Sequence, residues 1–412
     1  MTRKEYSVIV LVLGALCTVS PFSIDMYLPG FPAIAKDLDT TIAEVQLSLT
    51  AYLVGISVGQ LIYGPLLDRY GRKIPLYGGM FIYVITSLLC SLTTSVEQLI
   101  AMRFLQAIGG CAGLVSAQAL VRDIFPTNKT AQAFSLLTLV VAVSPMIAPT
   151  VGGYVTSSSF GWHGVFVILA VIGAVIMIGI FFLLPDGRKP DPSYSLKPMA
   201  VANNFFIVLR QPQFLVYMLV GGIATSASFA YIAGSADVFI TIYHVSEQHY
   251  GWIFAFLAFA MIGSTQLNHV LLRKFKSEQI IKVALYYQFT IGIIMTLGTW
   301  LQWYDAFWLV IVMFLFLCGH GLTGPNTSAL SLAPFVKHAG SAAALMGSFR
   351  MASGGIVSAL VSLGHNGTPL PMVLGMFMCI VVGLFILLVR KINKLYRARQ
   401  NKGKAATITW DL

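Results

Sequence analysis

Apolar and polar residues alternate along this chain in long blocks. Twelve predominantly apolar runs cover 7–29, 44–66, 74–94, 98–121, 131–154, 162–184, 214–236, 251–272, 280–302, 306–330, 341–363 and 370–390. Each is near the ~20 residues that carry an α-helix across a hydrocarbon core. A backbone in that medium must satisfy its own hydrogen bonds, so the pattern predicts an all-α membrane protein of twelve transmembrane helices. The longest polar stretch between runs, 185–213, is rich in Pro and charge and leaves six runs on either side. The expected organisation is an N-terminal six-helix half (1–184), a linker (185–213), a C-terminal six-helix half (214–390) and a basic tail (391–412). The first run is too long for the apolar region of a signal peptide and is expected to stay as the first span.

A faint internal repeat supports two pseudo-symmetric six-helix bundles. Gln60-Leu61 through Leu66-Leu67-Asp68-Arg69 has an echo at Gln266-Leu267 through Leu271-Leu272-Arg273-Lys274, about half a chain away. In that register Asp25 corresponds to Tyr231. Six-plus-six topology around a site near the bilayer midplane is a common plan for secondary transporters.

The net charge of +11 changes the picture only through its distribution. With both termini cytoplasmic, all but Lys36, Arg103 and Arg350 of the 26 Lys and Arg fall in the tails or cytoplasmic loops. That is the positive-inside bias, and it places the linker and tail in the cytoplasm. Trp162, Trp252, Trp300, Trp303 and Trp308 fall near the external ends of the runs, as an interfacial belt requires. The basic tail therefore reads as lying against anionic headgroups, and no nucleic-acid partner is expected. All five cysteines lie inside runs, away from any external disulfide, and no His/Cys spacing suits a metal. No phosphate-binding GxxxxGK[ST] loop is present, so no nucleotide-driven motor is expected.

Only 10% of the residues are charged, which makes an ionisable group inside an apolar run informative. Asp25 is the one carboxylate well within such a run, at a cost of about 2.5–3.5 kcal/mol at a helix centre. It is a candidate proton or ion site. Arg103 in the fourth run lies at a similar estimated depth, and the two together are the candidate proton-coupling pair. Two structural roles stay open for Asp25: a static pair with Arg103, or a cap at the helix end beside Pro29.

Several motifs resemble those of the major facilitator superfamily. Gly64-Pro-Leu-Leu-Asp68-Arg69-Tyr-Gly71-Arg72-Lys73 is similar to the superfamily's loop between spans two and three. The resemblance implies a cytoplasmic gate built from Gly64, Asp68, Arg69, Gly71 and Arg72. Asp123 at the end of span four is expected to pair with Arg69 or Arg72, and Asp68 to favour the start of span eleven near Ser341. Breaking the cluster is expected to favour an inward-open state. Leu99-x-x-x-Arg103-x-x-Gln106-x-x-Gly109 resembles the span-four arginine motif. Pro145, Pro149, Gly152 and Gly153 in span five match part of the superfamily's antiporter motif, with Ser144 and Ala148 in place of its leading glycines.

The end of span one, Pro21-Phe-Ser-Ile-Asp25-Met-Tyr-Leu-Pro29-Gly-Phe-Pro32, narrows the resemblance. With Gln60-Leu-Ile-Tyr-Gly-Pro-Leu, Arg122-Asp-Ile-Phe-Pro and Ala148-Pro-Thr-Val-Gly-Gly, it is similar to the bicyclomycin/chloramphenicol-resistance (Bcr/CflA) drug:proton antiporters. Some related multidrug antiporters carry a second acidic residue two turns earlier, near Cys17 here, so coupling is expected to rest on Asp25.

The second half is less distinctive. Arg350 and His320 lie at similar estimated depths, and His320 also reads as a buried histidine bonded to a carbonyl. Phe22, Tyr231, Asn326, Arg350 and His320 are the candidate substrate-cavity residues, with Phe229 and Trp252 as further apolar wall. The expectation is a monomeric, multi-pass protein of the bacterial inner membrane. It exports small amphipathic compounds against protons, with no cofactor, no metal and no catalytic constellation of an enzyme. The alternative is a proton-coupled transporter of one metabolite, a sugar or peptide, on the same fold.

Overall fold

The structure, a computed structural model, describes residues 3–191, 196–335 and 338–408. Twelve helical spans are long and apolar enough to cross a membrane: span 1 Glu5–Asp37, span 2 Ile42–Tyr70, span 3 Lys73–Cys90, span 4 Val96–Ile124, span 5 Gln132–Thr156, span 6 Gly161–Leu183, span 7 Pro212–Ile242, span 8 Glu247–Leu271, span 9 Ser277–Trp300, span 10 Ala306–Leu332, span 11 Ala339–Leu363 and span 12 Leu370–Arg390. No strand occurs among the described residues. An even number of spans puts both termini and the 185–213 linker on one side, here the linker face. The other side is the far face.

Polar caps set the far-face starts of several spans. Thr41 and Glu44 form a reciprocal capping box at the start of span 2. Ser95, Ser246 and Asp305 accept backbone N–H groups at the starts of spans 4, 8 and 10. Outward faces are apolar instead of polar, as lipid contact demands: Val171, Val175 and Phe182 of span 6 and Ile356 and Leu360 of span 11 are exposed.

Packing repeats with an offset of six. Span 1 packs on 4 and 5, span 2 on 4, and span 3 on 6; span 7 likewise packs on 10 and 11, span 8 on 10, and span 9 on 12. The two halves meet along span 2 with span 11, and span 5 with span 8. The first seam is polar and runs along the far-face half of both spans. Ser57 Oγ donates to Ser348 O at 2.9 Å, Thr50 Oγ1 to Ser358 Oγ at 3.0 Å, and Ser362 Oγ to Ala43 O.

Three spans are discontinuous. Span 1 is helical to Asp25, turns through Met26–Gly30, and resumes as Phe31–Asp37. Span 7 breaks at Ser226 and ends in a π-helical turn, Asp237–Ile242. Span 10 breaks at Gly319. The π turn carries span 7 six residues past the end expected from its apolar run, so Asp237 is a second buried carboxylate inside a span. The linker contains an apolar helix, Pro198–Leu209, which the Pro and charge around it obscured. The tail continues span 12 as helix to Ile408.

Two tryptophan expectations need correction. Trp162 is buried, with Nε1 donating to Asp37 Oδ2 at 3.1 Å, and is no part of a lipid-facing belt. Trp252, Trp300, Trp303 and Trp308 are exposed as a belt requires, so Trp252 lines no internal wall.

Candidate functional site

The break in span 1 sets the site. Pro29 and Pro32 lack an N–H and disfavour helical geometry in the residue before them, so the helix cannot run straight through. Asp25 is the last helical residue before the turn and is only 3% exposed. Its Oδ1 is buried with no hydrogen-bond partner, and no ion pair among the described residues includes it. Across the seam between the halves, Tyr231 of span 7 and Tyr250 of span 8 are within electrostatic reach of its carboxylate. The residue that the internal repeat matched to Asp25 thus lies near it. Tyr231 stacks on Phe254 with ring centroids 5.1 Å apart, while Tyr250 shares a 2.8 Å hydrogen bond with Ser235.

Arg103 is fully buried and forms no ion pair with Asp25. Its guanidinium lies 4.1 Å from the ring centroids of both Tyr27 and Tyr52. One nitrogen donates to Ser23 O at 2.7 Å and the other to Gln106 Oε1. Gln106 in turn donates from Nε2 to Ser87 Oγ at 2.7 Å. A planar cation between two aromatic faces suits arginine and not lysine. Arg103 therefore ties span 4 to a carbonyl of the last helical turn before the break, and to Tyr27 within it.

The double-glycine motif of span 5 closes the far face beside Asp25. A Cβ on Gly152 would collide with the Met26 carbonyl, and one on Gly153 with the Glu247 carbonyl at the start of span 8. Only glycine allows this approach of span 5 to both halves. Thr150 Oγ1 donates to Gly251 O at 3.3 Å, and Ser157 Oγ to Glu247 Oε2 at 3.0 Å. Pro145 and Pro149 sit in the same span, whose helix continues through both.

At the linker face Arg72 binds Asp68 at 3.0 Å and Asp123 at 2.7 Å. Asp123 also accepts the Arg188 backbone N–H at 3.0 Å, and Lys73 pairs with Asp186 at 2.7 Å. Of the two partners expected for Asp123, Arg72 binds it; Arg69 lies in the last turn of span 2. Gly71 ends that helix at φ +78°, a left-handed conformation that glycine adopts without strain. Every member of the Arg72 cluster belongs to spans 2 to 4 or the linker. The cluster is intact while the cavity is open, so it cannot by itself hold the halves together.

The cavity has a volume of about 770 Å³ and opens at the linker face. Gly64, Asp68, Arg72 and Asp123 line it, with Arg350 on the span 11 side. The other four residues expected there are not among its lining. Asn326 is buried with its amide donating to Asn268 Oδ1 at 2.6 Å, and His320 and Tyr231 are buried within the second half. Phe22 packs against the apolar core. Sequence reasoning missed Gln60, Thr225, Thr327 and Ser328, which do line it. A second, apolar groove of about 490 Å³ lies between span 2 and the linker helix, and shares Pro65, Val201 and Phe205 with the cavity.

On the far face of the second half, Asp237 accepts from or donates to His365 Nε2 at 2.8 Å, joining the π turn of span 7 to the loop after span 11. Among the described residues no cluster of His, Cys, Asp and Glu could hold a metal ion.

Two six-span halves that pack in the same pattern around a cavity open to one side have the architecture of a polytopic membrane transporter. The sequence pattern of the Major Facilitator Superfamily matches residues 13–359. A bicyclomycin resistance protein homolog of Haemophilus influenzae is 32% identical over 383 residues, covering 93% of this chain and 96% of that one. A chloramphenicol resistance protein of Pseudomonas aeruginosa is 29% identical over 289 residues, covering 69% and 66%. The crystal structure of a D-xylose-proton symporter superposes with a TM-score of 0.73 at 14% identity, over 93% of this chain and 97% of that one, and shows the shared fold. The chain belongs to the Major Facilitator Superfamily, in the branch of the bicyclomycin- and chloramphenicol-resistance proteins.

Proposed function

We propose that this protein exports small amphipathic compounds, chloramphenicol- and bicyclomycin-like drugs among them, from the bacterial cytoplasm in exchange for protons. The observation that carries the reading is Asp25: a buried carboxylate with no ion pair among the described residues, at the break of span 1, facing Tyr231 of the other half beside the seam where Gly153 meets Glu247. A group so placed can carry a proton between the two access states, because neutralising it removes an intramembrane charge. Membrane voltage adds about 2.3 kcal/mol per charge per 100 mV whenever that charge crosses the field.

The linker face is cytoplasmic in this reading, since it carries nearly all the Lys and Arg, and the structure is then the inward-open state. Both termini are cytoplasmic, the protein acts as a monomer, and the proton gradient drives it without a cofactor. The resistance named for the two relatives supports drugs as cargo. The apolar groove beside the mouth gives amphipathic compounds a side route from the inner leaflet.

Uptake of labelled chloramphenicol into energised inside-out vesicles tests the cargo. Competition by bicyclomycin and other unlike drugs is the expected result. No drug uptake, with competition-sensitive uptake of a single sugar or peptide, would instead establish the metabolite transporter.

A further inference from the structure

The charges lining the cavity do not balance, and the imbalance sits in one place. Three arginines, Arg72, Arg122 and Arg350, face two carboxylates, Asp68 and Asp123. Both carboxylates are bound by the same Arg72, at 3.0 and 2.7 Å, and Asp123 takes a further N–H from the linker. Arg122 stands near the mouth at the last turn of span 4, 6.0 Å from the Phe134 ring centroid. Arg350 is different. It lies midway along span 11, and among the described residues its side chain makes no hydrogen bond, ion pair or ring contact; its Nε is buried without an acceptor.

A guanidinium stays charged inside proteins and offers five donors in a planar fork. Left unpaired in a low-dielectric wall it is costly, and the described residues provide no acceptor for it. The remaining source of an acceptor is the cavity. Low-dielectric walls also focus an unbalanced positive charge onto whatever occupies the space between them. Around Arg350 the lining offers Met346 and Met351 for an apolar body, and Gln60, Thr225 and Thr327 for neutral hydrogen bonds. Asp25, which would repel an anion, is outside the lining.

We propose that Arg350 is an anion-recognition site and that the cavity's preferred cargo is a small amphipathic organic anion, its carboxylate held by the Arg350 fork and its apolar body by the methionines. This rests on the transport reading above and narrows its substrate class. Neutral compounds bind through carbonyl or nitro oxygens at the same donors, more weakly.

Equilibrium dialysis of the purified full-length protein in nanodiscs tests it, with labelled 1-naphthylacetate, 1-naphthylacetamide and 1-naphthylethylamine as matched anion, neutral and cation. The expected result is at least tenfold tighter binding of the carboxylate than of the amide, weakening as salt is raised. Arg350→Gln should abolish the carboxylate's advantage over the amide, with amide binding weakened much less than carboxylate binding and the melting temperature no lower than in wild type, and Arg350→Lys should keep part of the preference. Equal binding of all three, a preference for the amine, no carboxylate binding, or a preference that survives Arg350→Gln each overturns the proposal. Binding at equilibrium involves no gradient, so the result is independent of whether transport proves to be proton-coupled.

Discussion

Arg103 donates to the carbonyl of Ser23 at 2.7 Å and makes no ion pair with Asp25, two residues further along span 1. The arginine thus fixes the backbone that presents the carboxylate and leaves the carboxylate itself uncompensated. A static ion pair would hold its charge in place; under the proposed function, this arrangement lets Asp25 gain and lose a proton while its position is kept. Tyr27 and Tyr52 complete the mount by sandwiching the guanidinium.

Replacing Arg103 with lysine should therefore fail despite keeping the charge. An ammonium cannot span Ser23 O and Gln106 while lying flat between two rings, and each buried acceptor left unpaired costs about 1–3 kcal/mol. Thermal unfolding in detergent should show a lowered melting temperature for Arg103→Lys and for Arg103→Ala, with transport lost in both. A wild-type melting temperature in Arg103→Lys would show that the fork geometry is unimportant.

Gly153→Ala puts a methyl group against the Glu247 carbonyl of span 8, across the seam between the halves. Overpacking of this kind costs about 1–3 kcal/mol. The contact exists where the far face is closed, so the cost falls on the inward-open state and shifts the access equilibrium roughly tenfold or more toward the opposite one. Labelling of a cysteine placed near Thr150 by an impermeant thiol reagent should rise from the far face. Unchanged labelling would mean that span 5 yields without opening the seam.

The Arg72 cluster predicts a ranking. Asp68 is 37% exposed at its side chain and Asp123 only 16%. Exposed ion pairs contribute little and less-exposed ones more. Asp123 also anchors the linker through Arg188 N. Asp123→Asn should lower the melting temperature more than Asp68→Asn, and limited proteolysis should cut its linker faster. The reverse order would contradict the geometry.

Among the described residues, His365 engages Asp237 in an ion pair at 2.8 Å. His365→Ala leaves a buried carboxylate without that partner, at a cost of about 1–3 kcal/mol. The double variant His365→Ala with Asp237→Asn should recover part of the loss, a coupling that a double-mutant cycle on melting temperature measures. Additive effects would show that the two side chains do not support each other.

The twelve spans were legible because bilayer thickness imposes a run length that no other context does. Asp25 and the Gly64–Lys73 loop were legible for a related reason: a charge in an apolar run, and glycines among charges, are conspicuous. Arg103's acceptor was not, since a backbone carbonyl such as that of Ser23 leaves no mark on side-chain identity. Asp237 stood at the edge of its apolar run until the π turn drew it inside, and its partner His365 lies over a hundred residues away. The cavity was misjudged because depth along a helix says nothing of which side a residue faces. Asn326 and His320 have a suitable depth but turn into their own half, whereas Thr225 and Thr327 turn toward the cavity.

The central claim is that Asp25 carries the exchanged proton, and substrate-elicited proton release measures it directly. Inside-out vesicles energised to an acidic interior, containing wild type or Asp25→Asn at equal expression, would be challenged with chloramphenicol while a lumenal pH probe is read. The account predicts drug-dependent alkalinisation of the lumen in wild type and none in Asp25→Asn, with drug binding by the variant retained. Drug-dependent proton efflux that persists in Asp25→Asn would contradict it.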